Sequence, residues 1–157
     1  MKLLTLIFLF WVSSVVSADL TGTALIVGGD TITISGNKIR LSGIDTPEQN
    51  QTCRKAGITW RCGYEATETL RNWTYTKEVR CVGDTKDRYG RLIANCFVDG
   101  YNVNARLVYE GLALAYRKYS KQYVPEEDKA RAAKRGMWAG EFVAPWDWRK
   151  GKRLTSE

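Results

Sequence analysis

The chain has 157 residues, 44% of them hydrophobic, which is enough for one compact domain with its own core and too few for two ordinary ones. Its 24 Lys and Arg against 17 Asp and Glu leave a net charge of +7, an excess that fits a polyanionic partner, nucleic acid first and an anionic membrane or wall polymer next. There is no histidine, which excludes Ser-His-Asp and Cys-His nucleophile systems and any histidine base, so chemistry here falls to carboxylates, arginines, tyrosines, lysines or a metal ion.

Residues 1–18, MKLLTLIFLFWVSSVVSA, join Lys2 to an apolar run through Val16 and the small Ser17 and Ala18, the pattern of a secretory signal cleaved after Ala18. The run is shorter than the roughly 20 residues of a spanning helix, and no stop-transfer pattern follows it. A secreted or periplasmic chain with no stable membrane association after cleavage is expected. The four cysteines, Cys53, Cys62, Cys81 and Cys96, lie beyond the signal, and an even count in an exported chain points to two disulfides. Their spacing contains no C-x-x-C pair, which argues against zinc.

Segments 20–27, 31–35 and 38–44 are short, rich in Thr, Ile, Val and Leu, and separated by Gly28-Gly29-Asp30 and Gly36-Asn37. They read as three consecutive antiparallel strands. After a loop carrying Cys53 and Cys62, Ala66, Leu70 and Trp73 share one face of a helix over 64–76. "KEVRCVGD" and "RLIANCFVDG" then flank "KDRYG" as a second hairpin. A turn centred between Arg88 and Tyr89 sets Cys81 opposite Cys96, which leaves Cys53 for Cys62. Residues 102–110 form a helix capped by Asn102 and stopped by Gly111, and another begins at Pro125, with acids in its first turn and Gly136 at its end. The tail "PWDWRKGKR" is aromatic, then basic. Trp146 and Trp148 read as packing on the domain and residues 149–153 as a solvated terminus. Five strands and three helices imply an α+β domain, a five-stranded OB-fold barrel over residues 19–148 with three packed helices, followed by a basic tail at 149–157.

Chemistry gathers around "IRLSGIDTPE" at 39–48. Arg40 lies on the third strand, Asp45 falls at its end, and Pro47 terminates the ladder. Asp30 sits in the Gly-Gly-Asp turn, from which it could face Asp45. Two carboxylates with backbone oxygens and waters suit a hard cation such as calcium. Each residue also has a plainer reading: Asp30 as a turn former, Arg40 as an ion-pair partner of Asp45 or Glu48, and Glu48 as a solvated loop carboxylate. Arg91 in "KDRYGR" shifts the balance, because two guanidiniums, a cation and a spare carboxylate together suit phosphodiester hydrolysis. The cations neutralise charge building on phosphorus, and the carboxylate takes a proton from water.

Four motifs then resemble one family: "GDT" at 29–31, "IRLSGIDTPE" at 39–48, "DRYGR" at 87–91 and "LAYRKY" at 114–119, in matching order from about residue 20 to 148. They are similar to those of the thermonuclease, or staphylococcal-nuclease-like, family of secreted calcium-dependent nucleases. The resemblance implies cleavage of DNA and RNA with little sequence preference, on the 5′-oxygen side, leaving 3′-phosphates. It implies Asp30, Asp45 and the Thr46 carbonyl as Ca2+ ligands, Glu48 as general base, and Arg40 and Arg91 as the phosphate clamp. Arg88 and Tyr89 would lie near a terminal phosphate, and Tyr116 against a base or sugar. This chain departs from the best-known pattern at Gly28, where an acid usually precedes GDT, in the inserted loop of Cys53 and Cys62, and at a displaced Tyr119, which receives no role. Two alternatives remain: a non-catalytic nucleic-acid-binding barrel and a disulfide-stapled protein-interaction domain. The completeness of Asp30, Arg40, Asp45, Glu48 and Arg91 favours the nuclease, and nothing in the sequence argues for more than a monomer.

Overall fold

The structure is a computed structural model that describes residues 17–155. All but the last two residues of the expected signal segment lie outside the described residues. Among the described residues no helix is long and apolar enough to cross a membrane.

In chain order the elements are β1 (Ala18–Gly28), β2 (Thr31–Ile34), β3 (Asn37–Leu41), β4 (Ile44–Asp45), β5 (Cys53–Lys55), β6 (Ile58–Trp60), α1 (Cys62–Thr74), β7 (Glu78–Lys86), β8 (Leu92–Val98), β9 (Tyr101–Asn102), α2 (Val103–Tyr109), β10 (Leu114–Ala115), α3 (Val124–Ala132), a 3-10 turn (Gly136–Ala139) and the one-turn α4 (Pro145–Trp148). The main sheet runs β3-β2-β1-β7-β8-β9, and β3 also pairs in parallel with β8, Arg40 facing Ile93. That last pairing closes β1, β2, β3, β7 and β8 into the expected five-stranded OB-fold barrel. Alternation fills the barrel: Ile32, Ile34, Ile39, Leu41, Val79, Cys81 and Cys96 point inward and are buried.

The first hairpin turns on Ser35 and Gly36, both at positive φ, one residue earlier than expected. Such a two-residue turn matches the twist of its strands. Asn37 opens β3 instead, its amide donating to the Ile34 and Ser35 carbonyls. In the second hairpin the strands do face Cys81 with Cys96, and both disulfides form as expected, Cys53 with Cys62 and Cys81 with Cys96. A bulge between Val82 and Thr85 shifts the register nearer the turn.

Two sequence expectations need correction. The strand over 38–44 is broken, because β3 stops at Leu41 and Ile44–Asp45 pairs with β10 instead. The buried Asn104 of α2 holds this break: its amide donates to the Ser42 and Ala94 carbonyls, and its oxygen accepts from the Cys96 N–H. The loop of Cys53 and Cys62 is in fact a short hairpin, β5 against β6, whose three-residue strands are too brief for a readable alternation. It is tied to the C-terminal segment by reciprocal backbone hydrogen bonds between Arg54 and Glu141.

The three expected helices are α1, α2 and α3, each with ends shifted by a few residues. On α1, Ala66 and Leu70 are buried and Trp73 packs at the core's edge. Asn102 caps α2 by accepting from the Ala105 N–H. The acidic first turn of α3 does more than match the helix dipole: Glu127 is buried and accepts from the Ala115 N–H, which fixes β10 to α3.

Asn104→Ala would take the recorded side-chain partner from the Cys96 N–H and the Ser42 carbonyl, while the Ala94 carbonyl would keep only the Ser42 N–H. We expect a loss on the order of 3 kcal/mol, read as a lower denaturation midpoint with unchanged m-value.

Candidate active site

The barrel brings four strand ends to one rim. Asp30 lies in the turn between β1 and β2, Arg40 on β3 directly opposite Thr31, Asp45 at the end of β4, and Arg91 just before β8. Arg40 joins the two aspartates, its Nη1 2.9 Å from Asp30 Oδ2 and its Nη2 3.1 Å from Asp45 Oδ1. The ion-pair reading of Arg40 is thus correct for Asp45, while its other partner is Asp30 and not Glu48. The Thr46 N–H donates to Asp30 Oδ2 and the Thr31 hydroxyl donates to Asp30 Oδ1, so the first turn and the Thr46 loop are one unit.

Arg91 reaches the same cluster from the other side. Its Nε donates to Asp87 Oδ2 at 2.7 Å, and its Nη1 lies 3.4 Å from Thr31 Oγ1. Asp87 also accepts from the backbone N–H groups of Tyr89 and Arg91, which folds the "DRYGR" loop around its carboxylate. Burial works to raise the Asp87 carboxyl, but these hydrogen bonds and the Arg91 charge win, and its pKa falls below the ordinary value. Arg88 and Tyr89 stand farther out: Tyr89 is exposed, and Arg88 donates to its hydroxyl and stacks on its ring.

Glu48 sits where the chain leaves β4, and three features hold it there. Gln51, fully buried, accepts from the Glu48 N–H with its side-chain oxygen, donates its own backbone N–H to the Glu48 carbonyl, and donates its amide to the Val143 carbonyl. The Gly63 N–H donates to the Gln51 carbonyl. Gly63 itself backs onto the loop so closely that a Cβ there would come 1.6 Å from the Glu48 carbonyl oxygen. The Cys53–Cys62 disulfide pins the neighbouring residue, so the inserted hairpin and the start of α1 together brace the Glu48 loop.

The tail is not a solvated terminus at its first basic residue. Arg149 grips Asp45 with both terminal nitrogens, Nη1 to Oδ1 at 3.1 Å and Nη2 to Oδ2 at 2.7 Å, and its Nη1 also donates to Glu48 Oε1 at 2.8 Å. Asp45 has 0% exposure. Burial pushes its carboxyl above the ordinary value against the pull of Arg149 and Arg40. Burial opposes the Arg149 charge as well, yet the hydrogen bonds to Asp45 and Glu48 hold its pKa above the arginine norm. Trp146 stacks on Tyr116 with ring centroids 5.5 Å apart, as the packed reading of the tail required. Tyr116 consequently lies in an open groove of about 530 Å³ shared with Lys118, Trp146, Arg149 and Lys150.

The carboxylate oxygens of Asp30 and Asp45 converge on the Arg40 guanidinium, and the Thr46 N–H donates to Asp30; with the Thr46 carbonyl these residues offer hard oxygens, a donor set that suits a hard divalent cation. Among the described residues no three acidic, cysteine or histidine side chains gather closely enough to hold a metal by themselves.

Comparison with known proteins decides the class. The staphylococcal nuclease homologue family matches residues 38–140, a span that contains Arg40, Asp45, Glu48 and Arg91. The chain belongs to this family. It is 32% identical over 155 residues to a micrococcal nuclease of Shigella flexneri, covering 87% of this chain and 84% of that one. It is 33% identical over 135 residues to an uncharacterized endonuclease of Haemophilus influenzae, covering 81% of this chain and 71% of the other. A staphylococcal-like nuclease of Arabidopsis thaliana is 34% identical over 119 residues, which are 74% of this chain but 34% of that longer protein. The chain is accordingly a nuclease, a phosphodiester hydrolase.

Within the nuclease, the residues that sequence reasoning missed are those that position others. Gln51 gave no signal, since a loop glutamine next to polar neighbours is unremarked until its burial is known. Gly63 and Arg149 touch the site only through tertiary contacts, and Arg149 lies about a hundred residues from its partners. Gly63→Ala should push the Glu48 loop away from the rim and lower turnover on the order of 10²-fold, the cost of roughly an ångström of misplacement. Steady-state cleavage assays beside a circular dichroism spectrum would check this, with wild-type turnover in the folded variant as the contrary result.

Proposed function

We propose that this protein is a secreted or periplasmic, calcium-dependent endonuclease that hydrolyses DNA and RNA with little sequence preference. It cleaves on the 5′-oxygen side to leave 3′-phosphates, and it acts as a monomer. The observation that carries this reading is the meeting of Arg40, Asp30, Asp45 and Glu48 on one rim of the barrel, with Arg91 linked to them through Thr31. No purely binding function needs that combination of a carboxylate pair, a further carboxylate and two arginines. The family's nuclease relatives and the basic charge of the chain support it.

Asp30, Asp45 and the Thr46 carbonyl would hold Ca2+, which when bound supplies Lewis-acid neutralisation of the phosphoryl group. Arg40 and Arg91 bind the equatorial phosphate oxygens. The planar fork of each guanidinium matches two phosphate oxygens. Asp87 takes the Nε of Arg91, which aims its terminal nitrogens toward Thr31 and the rim. Glu48, its side chain 41% exposed, takes a proton from water as the water oxygen bonds to phosphorus. The bond to the 5′-oxygen then breaks, and that oxygen takes up a proton from solvent. Arg88, Tyr89 and Tyr116 flank the strand on either side of the scissile bond, Arg88 and Tyr89 at a terminal phosphate and Tyr116 against a base or sugar. Signal removal after Ala18 would deliver this domain outside the cytoplasm.

The test is cleavage of single-stranded DNA and RNA by the purified, oxidised chain with calcium or with chelator. Calcium should switch cutting on, and binding without cutting under any divalent ion would point to the non-catalytic barrel. Glu48→Gln should lower turnover by roughly 10²-fold or more with folding intact, and wild-type turnover would reject the base assignment. Arg40→Ala and Arg91→Ala should each cost on the order of 10²-fold, and the clamp assignment fails if neither slows cleavage.

A further inference from the structure

Arg149 stands where the reaction needs other atoms. Both Asp45 oxygens are engaged by it, and Glu48 Oε1 accepts from the same guanidinium. Arg40 fills the remaining space between Asp45 and Asp30. A divalent cation on Asp45 and a guanidinium clasping both oxygens of Asp45 are like charges competing for one carboxylate. They cannot both be held at full strength. Likewise Glu48 Oε1, which the proposed reading turns toward water, already accepts a hydrogen bond from Arg149 at 2.8 Å.

The tail is built to let Arg149 leave and stay near. The segment is anchored behind it, by Trp146 on Tyr116 and by the Val143 carbonyl on Gln51. The Arg149 side chain is 39% exposed, so one side of it already faces solvent, and it borders the groove of Tyr116, Lys118 and Lys150. A guanidinium released from Asp45 would lie among cations and an aromatic pair, beside the path that the proposed reading gives to the polynucleotide. There a phosphate is its natural partner.

We propose that Arg149 is an internal counter-ion of the active site that exchanges with the divalent cation: it holds Asp45 and Glu48 in place before the metal binds, and the metal displaces it into the Tyr116 groove, where it meets substrate phosphate. The inference rests on the calcium reading of the site. In the absence of metal, Arg149 keeps the Asp45 and Glu48 carboxylates from repelling one another. The apparent affinity for metal is then the intrinsic affinity reduced by the fraction of molecules in which Arg149 is already out.

Calcium titration by calorimetry on the oxidised wild-type chain, Arg149→Ala and Arg149→Gln, without nucleic acid, tests it. Both variants should bind calcium about tenfold more tightly or better, the factor for a latch closed roughly nine-tenths of the time. In the wild type, calcium should also speed tryptic cleavage after Arg149 and Lys150, a readout that needs no variant. Equal or weaker calcium affinity in folded variants, or tryptic cleavage unchanged or slowed by calcium, overturns the exchange while leaving the nuclease reading intact. Calcium binding to none of the three proteins overturns the metal reading and the exchange with it.

Discussion

A carboxylate with no exposure at all, Asp45, is the constraint around which this nuclease is arranged. Taking an ionised carboxylate out of water costs several kcal/mol unless charged partners surround it. The fold answers with two guanidiniums from opposite ends of the chain, Arg40 on β3 and Arg149 beyond α4. Asp45 is also the residue at which β4 pairs with β10. The barrel wall, the segment following α2 and the C-terminal tail therefore all converge on one side chain. A site of this kind is costly as architecture, and the cost falls on the carboxylate to which the proposed reading assigns the cation.

The support behind Glu48 follows the same logic at one remove. Its loop leaves the barrel without regular structure, so its position has to come from neighbours. Gln51 bonds the loop to itself and to Val143, Thr67 donates to Gln49, and Gly63 lets α1 approach the Glu48 carbonyl without a side chain between them. The Cys53–Cys62 bridge closes the inserted hairpin against the start of α1.

The barrel was legible in the sequence because its strands alternate and its turns carry Gly, Asn and Asp. The pairing of Cys81 with Cys96 was legible because facing residues in a hairpin are counted from its turn. Asp30, Arg40, Asp45, Glu48 and Arg91 could be singled out because their residue types suit one reaction, although only the tertiary fold shows that one arginine bridges both aspartates. The break after Leu41 was hidden, since Ile44 continues the apolar run and the cause lies in Asn104, far along the chain. The role of Arg149 was hidden for a related reason: a basic residue in a basic tail looks solvated until a buried acid is found opposite it. Long-range contacts leave no local period, and that is where sequence reading stopped.

In the proposed mechanism this rim directs water at phosphorus with the 5′-oxygen as leaving group. Cleaving matched DNA and RNA oligonucleotides in ¹⁸O-labelled water with calcium present, then weighing the product ends by mass spectrometry, tests it most directly. A single ¹⁸O in a 3′-phosphate on both substrates is the expected result. Label in a 5′-phosphate, or 2′,3′-cyclic ends on RNA with DNA left uncut, would contradict it.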